Sequence, residues 1–308
     1  MPTEPRRFAF LFALCVLAVL LVAGCGGSGS SSDGSSGKLQ VVAAEDFWGS
    51  IAAQLGGNRV EVTSIVTNPA ADPHDYEPTS ADARTMAGAQ MAIVNGIGYD
   101  PWASKLLAAD PSSERTVLTV GDLLGLKDGD NPHQWYSPSS VQKVIDRITA
   151  DYKKANPGQG AYYDRRRSRF EAKGLARYHG LIEEIKRKYA GVPVGASESI
   201  FAPLAPALGL KLMTPAGFLD AISEGTEPTP ADKTTTDRQI ANRQIEVWVY
   251  NSQNATPDVQ RLNDAAKAAG IPIATVTETL TPEGAGFQAW QSRQLEGLRQ
   301  ALAKATGR

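Results

Sequence analysis

The sequence predicts an α/β protein of two lobes, each a mostly parallel sheet flanked by helices, joined by one long helix. Short apolar runs alternate with amphipathic stretches on both sides of the chain's middle. That alternation is the signature of parallel strands linked by right-handed helical crossovers. A proline-free helical stretch at residues 160–189 separates the two series. The folded body, residues 38–308, is long for one domain and comfortable for two.

In the first half, residues 39–44 read as a buried strand and 47–55 as a helix stopped by Gly56-Gly57. Residues 60–66 are β-branched and strand-like. A helix is expected over 79–86 with Asp82 in its first turn, and a strand over 91–94 ending at Asn95-Gly96. Pro101 suits the first turn of a helix over 101–108, and 116–120 reads as the fourth strand. A helix over 139–154 is broken by Asn156-Pro157-Gly158. In the central stretch Phe170, Leu175, Tyr178, Leu181, Ile182 and Ile185 recur at helical spacing and fall mostly on one face. Such a helix spans on the order of 40 Å, a suitable rod between lobes. In the second half, strands are expected at 192–196, 210–214, 246–250 and 272–277, and helices at 200–208, 230–243, 257–269 and 287–303. No sequence repeat relates the halves. The cluster Arg165-Arg166-Arg167 reads as a solvated helix face, and Glu224 and Glu227 as part of a turn and helix entry.

The N-terminus points to export. Arg6-Arg7 is followed by an apolar run from Phe8 to Ala23, the layout of a signal peptide. Leu21-Val22-Ala23-Gly24-Cys25 resembles the lipobox of bacterial lipoproteins, in which the cysteine is lipidated and becomes the first mature residue. Residues 26–37 are Gly/Ser-rich and read as a flexible tether. The expected organisation is therefore a signal peptide (1–24), a lipidated tether (25–37), an N-terminal lobe (38–155), a linking helix (156–190) and a C-terminal lobe (191–308). The strong apolar run favours general secretion over the folded-protein route.

Composition removes several classes of function. The only cysteines are Cys15, which leaves with the signal, and Cys25, which carries lipid. No thiol remains for a disulfide, a thiolate metal site or a nucleophile, so a metal site must use imidazole and carboxylate. The formal charge is −2 with no long basic run, which argues against a nucleic-acid partner.

The chain has three histidines. His74 and His133 share a context, Asp72-Pro73-His74 and Asn131-Pro132-His133, each in a loop of the first half. Proline preorganises each loop, and open parallel sheets bind ligands outside the carboxyl ends of their strands. His179 lies inside the long helical stretch and reads as a surface residue. Glu198 and Glu278 each follow a predicted strand of the second half. Two neutral imidazoles and two carboxylates neutralise a divalent cation and suit zinc, manganese or iron better than calcium or magnesium.

These residues lie in segments that resemble the zinc/manganese substrate-binding lipoproteins of bacterial ABC importers. The matching segments are Glu45-Asp46-Phe47-Trp48-Gly49, Asp72-Pro73-His74-Asp75-Tyr76-Glu77-Pro78, Asn95-Gly96-Ile97-Gly98-Tyr99, Asn131-Pro132-His133-Gln134-Trp135-Tyr136, Tyr250-Asn251-Ser252-Gln253 and Thr277-Glu278-Thr279. The resemblance implies two α/β lobes joined by one long helix, with one divalent ion (Zn2+ or Mn2+, possibly Fe2+) between them as cargo. It carries the first two ligands onto His74 and His133, the third onto Glu198 and the fourth near Glu278, where the family usually has Asp. It also implies a lipid-anchored extracytoplasmic monomer that delivers the ion to an ABC permease and is not an enzyme. The stretch 75–132 lacks the His-rich loop common in zinc-dedicated members. Two rival expectations are a metal-dependent hydrolase, which would need an open water position and a general base, and a receptor for an organic solute, which would need an aromatic-lined cleft. The sequence has no His-Glu-x-x-His motif.

Overall fold

The structure, a computed structural model, describes residues 37–69 and 73–308. The signal peptide, Cys25, nearly all of the tether and Asp72 lie outside the described residues. Gly37–Arg308 forms one compact unit.

The chain begins with β1 (Leu39–Glu45), α1 (Asp46–Gly56), β2 (Val60–Val66), α2 (Ser80–Ala87), β3 (Met91–Val94), α3 (Pro101–Ala109), β4 (Thr116–Thr119) and α4 (Val120–Leu124). The helices α5 (Pro138–Ala155), α6 (Gly160–Arg169) and α7 (Ala176–Tyr189) follow. The rest is β5 (Pro193–Ala196), β6 (Lys211–Leu212), α8 (Ala216–Ser223), α9 (Pro230–Ala241), β7 (Val247–Asn251), α10 (Pro257–Ala268), β8 (Ile273–Val276) and α11 (Phe287–Thr306). Capping follows local chemistry. Thr79 and Asp82 form a capping box on α2, and Ser137, Thr229 and Thr256 cap α5, α9 and α10, each before a proline in the first turn.

Among the described residues the strands form two parallel four-stranded sheets, ordered β2-β1-β3-β4 and β6-β5-β7-β8. Central strands are covered on both faces, so residues 41–45 of β1 and all of β3 are buried. The two orders are the same topology read in sequence. The halves are thus a structural repeat that the sequence does not display, because parallel strands specify only apolar character. In each sheet the order reverses at the central pair, β1/β3 or β5/β7, and opens a crevice at the strands' carboxyl ends.

One core runs through both halves and the central helices, including Trp48, Trp135, Tyr152, Tyr178, Phe201 and Trp290. The helical stretch expected at 160–189 is present with one modification. A π-helical turn at Phe170–Gly174 separates α6 from α7. A Cβ on Gly174 would come within 2.8 Å of the Phe170 ring, so glycine there lets the ring fold inward. The extra residue of a π turn re-phases the apolar stripe. Before it, α6 packs on α1 and α5; after it, α7 packs on α11. The arginine cluster is only partly a solvated face. Arg165 is exposed, but Arg166 donates to the Gln54 carbonyl (2.9 and 2.6 Å) and Arg167 pairs with Asp146 (2.6 Å) and Glu171 (2.9 Å).

Other departures are local. The helix expected at 200–208 is a single 3-10 turn, Ser199–Phe201, followed by irregular turns. Pro203 and Pro206 remove the donors a continuous helix needs, while Ile200, Phe201, Leu204, Ala205 and Leu208 are still buried. The strand expected at 210–214 shrinks to Lys211–Leu212 at the sheet edge. The helices α4 and α8 had no sequence expectation.

Several bonds join the halves. The Leu280 amide donates to both carboxylate oxygens of Asp46 (3.3 and 3.2 Å), and Gln54 and Gln288 exchange side-chain bonds (2.9 and 2.8 Å). Burial pushes the Asp46 carboxyl from its usual 3.8 up to about 7. Between about pH 4 and pH 7 the folded protein therefore holds a proton that the unfolded chain has released. Stability falls as pH rises through that window and levels off above it. Asp46→Asn has no such proton, so the pH 5 to pH 8 loss in urea-unfolding free energy should shrink by on the order of a few kcal/mol; an unchanged loss would assign the slope to other groups.

Candidate metal centre

The four candidate residues sit where the sheets end. His74 lies in a 3-10 turn, Pro73–Asp75, after β2. His133 closes the loop that leaves α4 and precedes another turn, Gln134–Tyr136. Glu278 follows β8, and Glu198 follows β5 as an extended residue before the Ser199–Phe201 turn.

The structure brings His74, His133 and Glu278 together. One ligand atom from each lies within 4.8 Å of the other two. Glu278 Oε2 is 3.4 Å from His74 Nε2 and 4.0 Å from His133 Nε2. Bonds of about 2.0–2.2 Å place two ligands of one ion no more than about 4.4 Å apart, so both pairs fit a shared cation. Glu198 is not in this trio. It stands one amide behind it: Asn251 Nδ2 donates to Glu198 Oε1 (2.8 Å) and to Glu278 Oε1 (2.9 Å). Asn254 Nδ2 holds Glu198 Oε2 at 2.9 Å. His179 is exposed on α7, away from the trio.

The His133 ring is fixed in place by its neighbours. Its Nδ1 faces Asn131 Oδ1 at 3.1 Å and Ser199 Oγ at 3.3 Å. A hydrogen on Nδ1 satisfies the Asn131 oxygen and leaves a lone pair on Nε2. Nε2 is buried and makes no hydrogen bond. Burial, with the neighbouring His74 second, holds the His133 imidazole well below its usual 6.5. The ring therefore stays neutral in moderately acidic solution.

An aromatic collar surrounds the imidazoles. Tyr99 meets the His74 ring edge-on at 4.7 Å, and Trp135 meets His133 at 5.2 Å and stacks on Phe47 at 3.9 Å. The Tyr99 hydroxyl donates to Glu278 Oε2 at 2.7 Å, linking first half to second. The loop carrying Tyr99 is strained. Ile97 has φ 59°, between Gly96 and Gly98 at 70° and 77°, and a β-branched residue is rarely tolerated there. Asp100 secures it by accepting the Asn95 and Gly96 amides, both at 2.7 Å. Asn95 accepts from Trp48 Nε1 (3.0 Å) and donates to the Pro132 carbonyl beside His133 (3.0 Å). Beneath, Glu45 is fully buried against Asp100, and burial and then the Asp100 charge raise its carboxyl well above the ordinary range.

On the other side, Gln253 Oε1 accepts the Glu278 and Thr279 amides (2.5 and 3.0 Å). Tyr136 donates to the Thr277 carbonyl, and Trp290 Nε1 to Thr277 Oγ1, each at 2.8 Å. Sequence reasoning assigned no role to Tyr99, Asn251, Asn254, Asp100 or Glu45. Tyr99, Asn251 and Glu45 lie within segments singled out for their resemblance, whereas Asp100 and Asn254 fall just beyond the ends of two of them.

Fold and site together define a two-lobed α/β binding protein with an imidazole–carboxylate cluster between its sheets. A family model, the zinc-uptake complex component A (ZnuA), periplasmic, matches residues 41–301. The chain belongs to that family. It is similar to the manganese-binding lipoprotein MntA of Halalkalibacterium halodurans, 31% identical over 163 residues, 51% of this chain and 53% of that protein. The chain thus spans about half the length of that relative in the match. It is also similar to the manganese ABC transporter substrate-binding lipoprotein PsaA of Streptococcus mitis, 24% identical over 97% of this chain and 100% of that one. Among solved structures, a periplasmic metal-binding protein from candidatus Liberibacter asiaticus superposes with TM-score 0.72 at 19% identity, over 86% of this chain and 100% of that chain. The periplasmic zinc-binding protein TroA of Treponema pallidum gives 0.71 at 18% identity, over 86% and 99%.

The Asn251 amide is a shared donor between two buried carboxylates. Asn251→Leu leaves both without it, and urea unfolding should show a loss of about 1–3 kcal/mol; an unchanged midpoint would mean the amide is dispensable.

Proposed function

We propose that the chain is an extracytoplasmic receptor that binds one divalent transition-metal ion, zinc or manganese with iron as a further option, and delivers it to an ABC-type importer. The convergence of His74, His133 and Glu278 from both halves carries this reading, and the buried, neutral His133 with its unbonded Nε2 is its strongest element. His74, His133 and Glu278 are the first donors. Glu198 is the fourth: it stands behind Glu278, bridged to it by the Asn251 amide. Two carboxylates and two neutral imidazoles then neutralise a 2+ charge, and the donor set favours zinc, manganese or iron over harder cations.

The binding is capture without catalysis. His133 and Glu278 are 0% exposed, which suits a closed cargo site better than one that must admit a substrate beside a general base. The names of the relatives support the cargo and the importer: MntA is a manganese-binding lipoprotein, PsaA a manganese ABC transporter substrate-binding lipoprotein, and YfeA of Yersinia pestis an iron-binding protein. We propose residues 38–155 and 191–308 as the two lobes and 156–190 as their link, in a monomer. Among the described residues no helix is long and apolar enough to cross a membrane. Membrane attachment through a lipid on Cys25 fits the lipobox-like segment and the lipoprotein relatives.

Two measurements test the reading. His133→Ala should weaken zinc and manganese binding by at least about a hundredfold in calorimetry, since loss of even an outer partner costs about 10–100-fold; unchanged affinity would remove His133 from the site. Cys25→Ser should move the protein expressed in its host from the membrane fraction to the soluble fraction, and retention on the membrane would reject the lipid anchor.

A further inference from the structure

The cluster reaches solvent at His74. Glu278 and His133 side chains are wholly buried, whereas His74 is 22% exposed. His74 lines a cavity of about 480 Å³ formed by loops of both halves. The cavity's inner wall includes Ser199 and Asn254, which bond His133 and Glu198. Its lining is electrostatically one-sided: Asp130, Asp220 and Glu224 contribute carboxylates, and among the described residues no lysine or arginine lines it. Asp220 and Glu224 stand on and just after α8, both exposed, and Asp130 is half-buried opposite them. Burial and then the Glu224 charge raise the Asp220 carboxyl.

We propose that this cavity is the entry channel for the cation, and that Asp130, Asp220 and Glu224 steer the hydrated ion to His74 without ligating it once bound. This rests on the metal-receptor reading above and adds the route and its residues. A hydrated divalent ion must first form an outer-sphere encounter and then exchange waters for protein donors. Carboxylates around a concave, partly desolvated passage concentrate cations there, and clefts of one sign raise association rates by about 10–1000-fold in total. The carboxylates remain solvated enough to release the ion, while the partly exposed His74 imidazole offers the first inner-sphere bond. Glu278 and His133, deeper in the cluster, follow.

Stopped-flow mixing with Zn2+ and with Mn2+, read by the fluorescence of Trp135 beside His133 and by a competing chelator dye, tests this. In D220N/E224Q the association rate constant should fall about threefold to tenfold at ~10 mM salt. The deficit should close toward 1 M salt, where the Debye length is about 3 Å. The dissociation rate should not change, so Kd rises by the same factor. Asp220→Lys should slow association further. Unaltered unfolding midpoints establish that the variants fold. Equal association rates and equal salt dependence in D220N/E224Q and the unmodified protein overturn the entry channel. His133→Ala is mixed alongside: lost binding there with unchanged association in D220N/E224Q rejects the channel alone, whereas full binding in His133→Ala rejects the site itself.

Discussion

The structure depends on how one buried carboxylate, Glu278, is held. An ionised side chain at 0% exposure is costly unless opposing groups replace its water. Here the replacements come from both halves. Tyr99 donates from the first sheet's loop and Asn251 from the second, and both histidines face the same oxygen. Neither half alone supplies this set. Chemistry and the contact between halves are therefore one problem: the groups that can hold a cation are also those that make burial of Glu278 affordable.

The outer layers serve the same end. Parallel sheets point every strand's carboxyl end at the same crevice, so short loops after β2, β3, β5, β7 and β8 meet without long excursions. Each loop is then tied to rigid structure: Asn95 to Trp48, Glu278 to Gln253, Thr277 to Trp290. The strain at Ile97 persists because Asp100 grips the backbone before it. The central helices pack on α1, α5 and α11, so they form part of the core rather than a free strut. Such packing favours small loop rearrangements over wide separation of the sheets.

Much of this was legible before any coordinates. Strong periodicity and capping chemistry located most strands and helices to within a residue or two. The helix expected at 200–208 failed because its apolar spacing looked helical while Pro203 and Pro206 broke the backbone pattern. The π turn at Phe170–Gly174 was invisible because it changes hydrogen-bond register without altering composition. The twofold topology was likewise hidden, since a buried parallel strand asks only for apolar residues.

By itself the sequence determined the donor types, because the only two cysteines sit in the export segment and the proline-led loops single out His74 and His133. It also determined alternating strands and helices, because hydrophobic period is a local property. Only the tertiary structure decided which carboxylate stands with the imidazoles. Glu198 and Glu278 look alike in sequence, each just past a strand, yet Glu278 joins the trio while Glu198 waits behind Asn251. It also decided that His133 is wholly buried while His74 stays partly exposed, because burial arises from residues far apart in the chain.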